Sequence, residues 1–362
     1  MATLSFRYIC LLIFLISLVN HTKSYDQPFP LKNDKASSLF IFGDSAFDVG
    51  NNNYINTTGR ANYWQYGETF FEYPTGRFSD GRLIPDFITE YVNLPLIPPY
   101  LQPDTHNFLC GANFASAGAG ALVETSQGFV IDLKNQVSYF KNVSQVLRQN
   151  LGDEEAANLL SRAVYLFNVG SNDYSVLFQT NSNVLRSYSH QQFVRFVIGN
   201  ITSAIEEIYK IGGRKFGFQN IRPIACIPYA KLLAGGKNGA CLDKITPLIK
   251  LHNQQLSELL QKLQSELKGF RYSLLDYHTF LEERMNHPSK YGFKEAKMAC
   301  CGSGPYRGIF SCGGKRGIAE YELCDNVSEY IFFDSAHPTE RIYQQFAQQA
   351  WHYNLKALFE SY

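Results

Sequence analysis

The chain has 362 residues, enough for one large domain or two small ones, and its 45% hydrophobic and 18% charged content supplies a substantial core. The formal net charge is +1, so no strong field draws the chain to nucleic acid or to an anionic membrane. It contains neither a zinc-finger spacing nor a Walker-type phosphate loop, and no cofactor or metal is expected.

At the N-terminus Arg7 precedes an apolar run over residues 8–19, followed by polar residues to Ser24. About a dozen apolar residues fall short of the roughly 20 that cross a bilayer, so residues 1–24 read as a secretory signal peptide. Residues 25–362 show no repeat and no linker and are expected to form a single domain with no membrane segment. Secretion agrees with four glycosylation sequons, at Asn56, Asn142, Asn200 and Asn326. The expected destination is extracellular, with the vacuole as the alternative.

The first strand is expected over residues 38–42, an apolar, β-prone run that stops at Gly43-Asp44-Ser45. Residues 51–81 are rich in Gly, Asn, Pro and aromatics, so a long structured loop is predicted. Tyr63, Trp64, Tyr66, Phe70 and Phe71 in that loop either wall an apolar substrate site or glue the loop to the body. A helix is predicted over 83–91, a strand over 108–115 running into the small-residue turn 116–120, and helices over 133–148 and 153–162. The third strand, 163–169, ends at Gly170-Ser171-Asn172-Asp173. A long helix over 191–211 stops at Gly212-Gly213. A fourth strand (215–220), a loop (221–239), a helix (243–267) and a fifth strand (270–276) follow. Residues 300–324 promise little regular structure, and a helix over 339–359 closes the chain.

Seven cysteines follow the leader. Cys226, Cys241, Cys300, Cys301, Cys312 and Cys324 suffice for three disulfides, but six cysteines allow 15 pairings and spacing does not choose among them. Cys300, Cys301, Cys312 and Cys324 lack the C-x-x-C pair of a zinc site. Cys110, in an apolar strand-like stretch, is expected to be a buried, inert thiol.

Strands alternating with helices imply a parallel sheet covered on both faces and joined by right-handed crossovers. In such a sheet, strand ends distant in sequence meet at one edge. That edge would gather Gly43-Asp44-Ser45, Gly170-Ser171-Asn172-Asp173 and Asp334-Ser335-Ala336-His337. A serine hydroxyl needs an adjacent base, which His337 can supply, and Asp334 can orient the imidazole and stabilise its charged form. The backbone N–H groups of Ser45 and Gly118 and the side-chain amide of Asn172 are the candidate donors to an oxyanion.

These segments resemble the plant GDSL-type esterase/lipase family of the SGNH hydrolase superfamily. The resemblance runs over nearly all of the chain after the leader. It includes Phe42-Gly43-Asp44-Ser45, Phe47-Asp48-Val49-Gly50-Asn51-Asn52-Asn53, Pro74-Thr75-Gly76-Arg77-Phe78-Ser79-Asp80-Gly81-Arg82, Asn113-Phe114-Ala115-Ser116, Gly170-Ser171-Asn172-Asp173, Cys300-Cys301-Gly302 and Asp334-Ser335-Ala336-His337-Pro338-Thr339-Glu340. It is most similar to the secreted, defence-associated subgroup.

The resemblance implies a three-layer α/β/α sandwich like flavodoxin, with a mainly parallel five-stranded sheet, and a metal-free Ser45–Asp334–His337 triad. It also implies an oxyanion hole at Ser45, Gly118 and Asn172. Five positions depart from the family pattern. Ala46 replaces leucine, Ala117 a glycine, Arg222 and Ala225 the first and second glycines of a Gly-Pro-Ile-Gly-Cys run, and Phe333 a tryptophan. The expected function is a secreted serine esterase or lipase acting on small-molecule or lipid esters, as a monomer. The alternatives are an acyltransferase of specialised metabolism and a non-catalytic binding or signalling protein.

Overall fold

The structure is a computed structural model that describes residues 38–105, 107–178, 187–235 and 239–360. The leader expected over residues 1–24 lies outside them. Five strands form the central sheet: β1 (Leu39–Gly43), β2 (Gly111–Asn113), β3 (Val164–Asn168), β4 (Lys215–Gln219) and β5 (Arg271–Leu275). Their order is β2-β1-β3-β4-β5 and every pairing is parallel. The chain therefore leaves β1 toward β2 and returns to β3 on the other side. That reversal opens a crevice at the carboxyl ends of β1 and β3, where ligands of open α/β sheets bind.

Both faces of the sheet are covered, which explains why its strands read as apolar runs. On one face, alternate residues form an aromatic ladder. Phe40 stands opposite Tyr165 and Tyr165 opposite Phe216; Phe42 stands opposite Phe167 and Phe167 opposite Phe218. Ring centroids along the second row lie 4.8 and 4.9 Å apart. Phe140, from the helix Leu133–Leu151, packs edge-on to Phe40 and Tyr165. That helix packs against His190–Ile211, which in turn meets Thr246–Glu266. On the other face Gly217 lies under Leu355 and Leu358 of the C-terminal segment, with Leu166 beside it. The result is the three-layer α/β/α arrangement.

Gly43 ends β1 for a steric reason. Its φ is +152°, and a Cβ there would stand 2.3 Å from the Asn168 carbonyl oxygen of β3. The buried Gln136 side chain then accepts from the Gly43 N–H (2.8 Å) and donates to its C=O (2.9 Å). Those two backbone groups are satisfied without extending the ladder, and the chain is free to turn at Asp44 and Ser45.

Several elements differ from the sequence expectations. The strand expected over 108–115 has only three residues, Gly111–Asn113. The loop expected over 221–239 contains a short helix, Pro228–Leu233, opened by a proline whose φ suits a first helical position; six residues carry too little periodicity to announce it. The helix Tyr277–Asn286 follows β5 directly, and Asp276 caps it by accepting the Thr279 N–H at 3.1 Å. The closing helix runs Glu340–Ala350, widens to a π-turn over Trp351–Leu355 and resumes at Lys356–Phe359.

The cysteine-rich stretch is more ordered than expected. Glu295–Ala299 (β6) pairs in parallel with Tyr330–Phe332 (β9). Cys301–Gly302 (β7) pairs antiparallel with Glu322–Leu323 (β8). Disulfides Cys300–Cys324 and Cys301–Cys312 brace this part, and Cys226–Cys241 closes the third bridge. Cys110 is free as expected, but it is only half-buried, just before β2 rather than inside a strand. Burial still pushes its thiol pKa up, which disfavours the reactive thiolate. Among the described residues no helix is long and apolar enough to cross a membrane.

Candidate active site

Ser45 lies two residues past the end of β1, in the turn that Gly43 permits. Asp44 shapes that turn: its Oδ1 accepts the Ala46 N–H and the Asn168 side-chain amide, each at 3.0 Å. His337 and Asp334 come from the other end of the chain. The braced segment holds them, because the Cys300 and Cys301 N–H groups donate to the carbonyls of Phe332 and Phe333 at 2.9 and 2.7 Å. The Phe333 N–H in turn donates to the His337 carbonyl at 2.8 Å. The disulfides thus serve the turn that carries Asp334 and His337.

The three side chains meet. His337 Nε2 is 2.8 Å from Ser45 Oγ, and His337 Nδ1 is 2.8 and 2.9 Å from the two Asp334 carboxylate oxygens. An ionised carboxylate only accepts, so Nδ1 carries the proton and Nε2 is left to accept from the serine hydroxyl. Asp334 Oδ1 also accepts the Ala336 and His337 N–H groups, at 2.8 and 2.7 Å. Tyr66 donates to Oδ2 at 2.6 Å.

Burial alone would raise the Asp334 carboxyl. The His337 ring, Arg316 and the Tyr66 hydroxyl outweigh it and hold the group below the usual carboxylate range. Burial lowers the His337 pKa below 6.5; Asp334 opposes this, while Arg222 and Arg316 add to it. The Asp334 side is therefore ionised and the imidazole neutral at ordinary pH.

The oxyanion candidates surround the same space. Among the described residues neither the Ser45 nor the Gly118 N–H has a hydrogen-bond acceptor. Gly118 has φ +88°, and a Cβ there would meet Val130 at 3.1 Å. Asn172 lies in the short helix Ser171–Ser175 beyond β3, with one amide hydrogen donated to the Ala119 carbonyl at 2.9 Å and the other uncommitted.

Two carboxylates hold the Gly118 loop in place. Asp48 accepts from the N–H groups of Gly50, Asn51 and Ala117 at 2.7–2.9 Å. Asp173 accepts from the Ala121 and Leu122 N–H groups and from the Thr125 hydroxyl. Asn51 donates to the carbonyls of Asn113 and Ala115, and Asn52 to that of Ala117. These residues position the candidate donors, a role that the sequence by itself does not assign to Asp48, Asn51 or Asn52. Glu340, three residues past His337, is tied to the first half of the chain through Asp80 and Arg82.

A cavity of about 680 Å³ opens over Ser45 and His337. Its apolar walls include Phe178, Phe193, Ile224, Ile227, Tyr229 and Phe310. Of the two readings of the aromatics in the 51–81 loop, the cavity does not support the first: Tyr63, Trp64, Tyr66, Phe70 and Phe71 are not among its lining residues. Tyr66 is fully buried beneath Asp334, whereas Trp64 is 52% exposed. Phe78 supplies the ring beside the imidazole, 4.8 Å from its centroid. Arg316 stands within 5.6 Å of the Tyr63, Tyr66 and Phe78 rings and donates to the Arg60 carbonyl. Among the described residues no group of three His, Cys, Asp or Glu side chains could hold a metal ion. The four sequon asparagines, Asn56, Asn142, Asn200 and Asn326, are all exposed and none lines the cavity, although Thr58 of the first sequon does.

The model of the GDSL-like lipase/acylhydrolase family matches residues 39–350. The chain belongs to that family. This GDSL-family chain is 54% identical over 337 residues to GDSL esterase/lipase 2 of Arabidopsis thaliana, covering 90% of each chain. It is 52% identical to GDSL esterase/lipase 5 of the same plant over 91% of this chain and 89% of that one. The identity is 48% to a GDSL lipase of Tanacetum cinerariifolium, over 91% of this chain and 90% of that one.

Proposed function

We propose that this carboxylic ester hydrolase works through an acyl-enzyme on Ser45, with His337 as general base and acid and Asp334 as the orienting carboxylate. What supports the reading is the unbroken hydrogen-bond line from Asp334 through His337 to Ser45 at the floor of the cavity. His337 Nε2 takes the hydroxyl proton as Ser45 Oγ bonds to the ester carbonyl carbon. The oxyanion is met by the Ser45 and Gly118 N–H groups and the free hydrogen of Asn172. The tetrahedral intermediate expels the alcohol, which takes the proton from His337. Water then enters with His337 as base and releases the acid. The apolar walls favour esters with a substantial hydrocarbon part.

The test is a panel of esters of increasing acyl length with candidate acceptor alcohols present. The proposal expects free acid as the main product and ping-pong kinetics. New ester exceeding free acid would make the protein an acyltransferase on the same acyl-enzyme.

The pH dependence follows from the site. The active form has neutral His337, so kcat/KM falls as pH drops through its pKa and is constant above it. Since burial holds that pKa below 6.5, the midpoint of the acid limb lies below 6.5 and activity extends into mildly acidic solution. A pH–rate profile centred above 6.5 would contradict this.

We further propose that the chain is secreted and glycosylated at the four exposed sequons. Treatment with an endoglycosidase would then increase its mobility on a denaturing gel.

A further inference from the structure

One cation in the cavity has, among the described residues, neither an ion-pair partner nor a hydrogen-bond partner at Nε and Nη1. Arg222 is 9% exposed and lines the cavity together with Ser45 and His337. Its Nε and Nη1 are buried without a hydrogen-bond partner, and among the described residues it forms no ion pair. Buried guanidinium groups are ordinarily matched by carboxylates or carbonyls, because an unmatched buried charge is costly. The other charged groups on the cavity are accounted for. Arg316 is engaged by the Arg60 carbonyl and three rings, Asp173 by its three donors, and Glu124 is exposed.

The segment that delivers Arg222 is rigid. Asn253 grips the Ile221 N–H and C=O, both at 2.9 Å. Pro223 restricts the backbone of Arg222 from the other side. The Arg222 carbonyl accepts the Ile224 N–H at 2.7 Å, and the Cys226–Cys241 disulfide fastens the next turn. With its backbone fixed and its side chain already buried, Arg222 gives up less freedom on meeting an anion.

Resting on the acyl-enzyme reading above, we propose that Arg222 anchors an anionic oxygen group, a carboxylate or a phosphate, carried by the ester substrate. The enzyme then prefers anionic esters over neutral ones of the same size. The internal alternative is that Arg222 only balances Asp44, whose carboxylate feels its field. That role would not distinguish between substrates.

The test compares kcat/KM within two matched pairs. One pair is 4-nitrophenyl esters of a six-carbon acid ending in a carboxylate or in a primary amide. The other is lysophosphatidic acid and monoacylglycerol with the same acyl chain. Wild type should favour the anionic member of at least one pair by about tenfold or more, the worth of one charged hydrogen bond. The pair that shows the preference identifies the group as carboxylate or phosphate. Arg222→Met should bring that ratio to about one, and Arg222→Lys should keep part of it.

Equal or reversed preference in wild type overturns the proposal without needing any variant to fold. Arg222→Met lowering both members alike also overturns it, in favour of the Asp44 role. In both cases Ser45-dependent turnover of the neutral esters leaves the acyl-enzyme reading standing. Absence of Ser45-dependent turnover of every ester would remove both.

Discussion

Replacing Ser45 with alanine lowers kcat for ester hydrolysis by about 10⁴- to 10⁶-fold, the range seen when a triad nucleophile is deleted. The residual rate comes from the oxyanion donors and from binding, which the substitution leaves in place. The loss falls on kcat, because in the proposed mechanism Ser45 Oγ forms the bond that is broken in the next step, whereas the cavity walls are untouched. The fold should tolerate the change. Ser45 is only partly buried, and among the described residues its side chain makes one hydrogen bond, to His337. Steady-state kinetics beside a thermal melt separate the two effects. A variant that keeps more than about a hundredth of the wild-type kcat contradicts the role given to Ser45.

The second large effect is at Asp334. Asp334→Asn lowers kcat by about 10⁴-fold with little change in KM. In the native site a carboxylate accepts the Nδ1 proton through both oxygens, so the ring presents a bare Nε2 to Ser45. An amide keeps one acceptor but loses the charge that stabilises the imidazolium, and its NH₂ can favour the wrong tautomer. Tyr66 can adapt, since its hydroxyl accepts as well as donates. Asn at 334 also retains an oxygen for the Ala336 and His337 N–H groups, which should preserve the turn. A drop of less than tenfold would mean that packing, by Phe78 and the main chain, orients the imidazole without help from the charge.

Much of this was legible in the sequence because the relevant signals are local. The apolar runs of β1, β3 and β4 end at small polar residues, and in a parallel sheet such ends share an edge. Asp334 and His337, three residues apart, pair within a single turn. The part that was not legible depends on distant pairings. Tyr66 reads as one aromatic among five in a loop, and only its contact with Asp334, 268 positions away, separates it from Trp64. Asp48 and Asp173 look like ordinary turn residues until the N–H groups of the 117–122 loop are found on their oxygens. The β6–β9 pairing joins segments some thirty residues apart across the disulfide-braced stretch, so neither strand announces its partner. Arg222 was visible only as a departure from a family pattern. Its burial with Nε and Nη1 unpartnered gives that departure a chemical meaning.

The central claim is that Ser45 is a nucleophile activated by His337, and the most direct measurement is covalent labelling by a fluorophosphonate, with the adduct located by peptide mass spectrometry. The account predicts a single modified peptide carrying the phosphonyl group on Ser45, formed in the native enzyme and lost in His337→Ala. Absence of an adduct at Ser45 in active protein, or equal labelling without the imidazole, would contradict it.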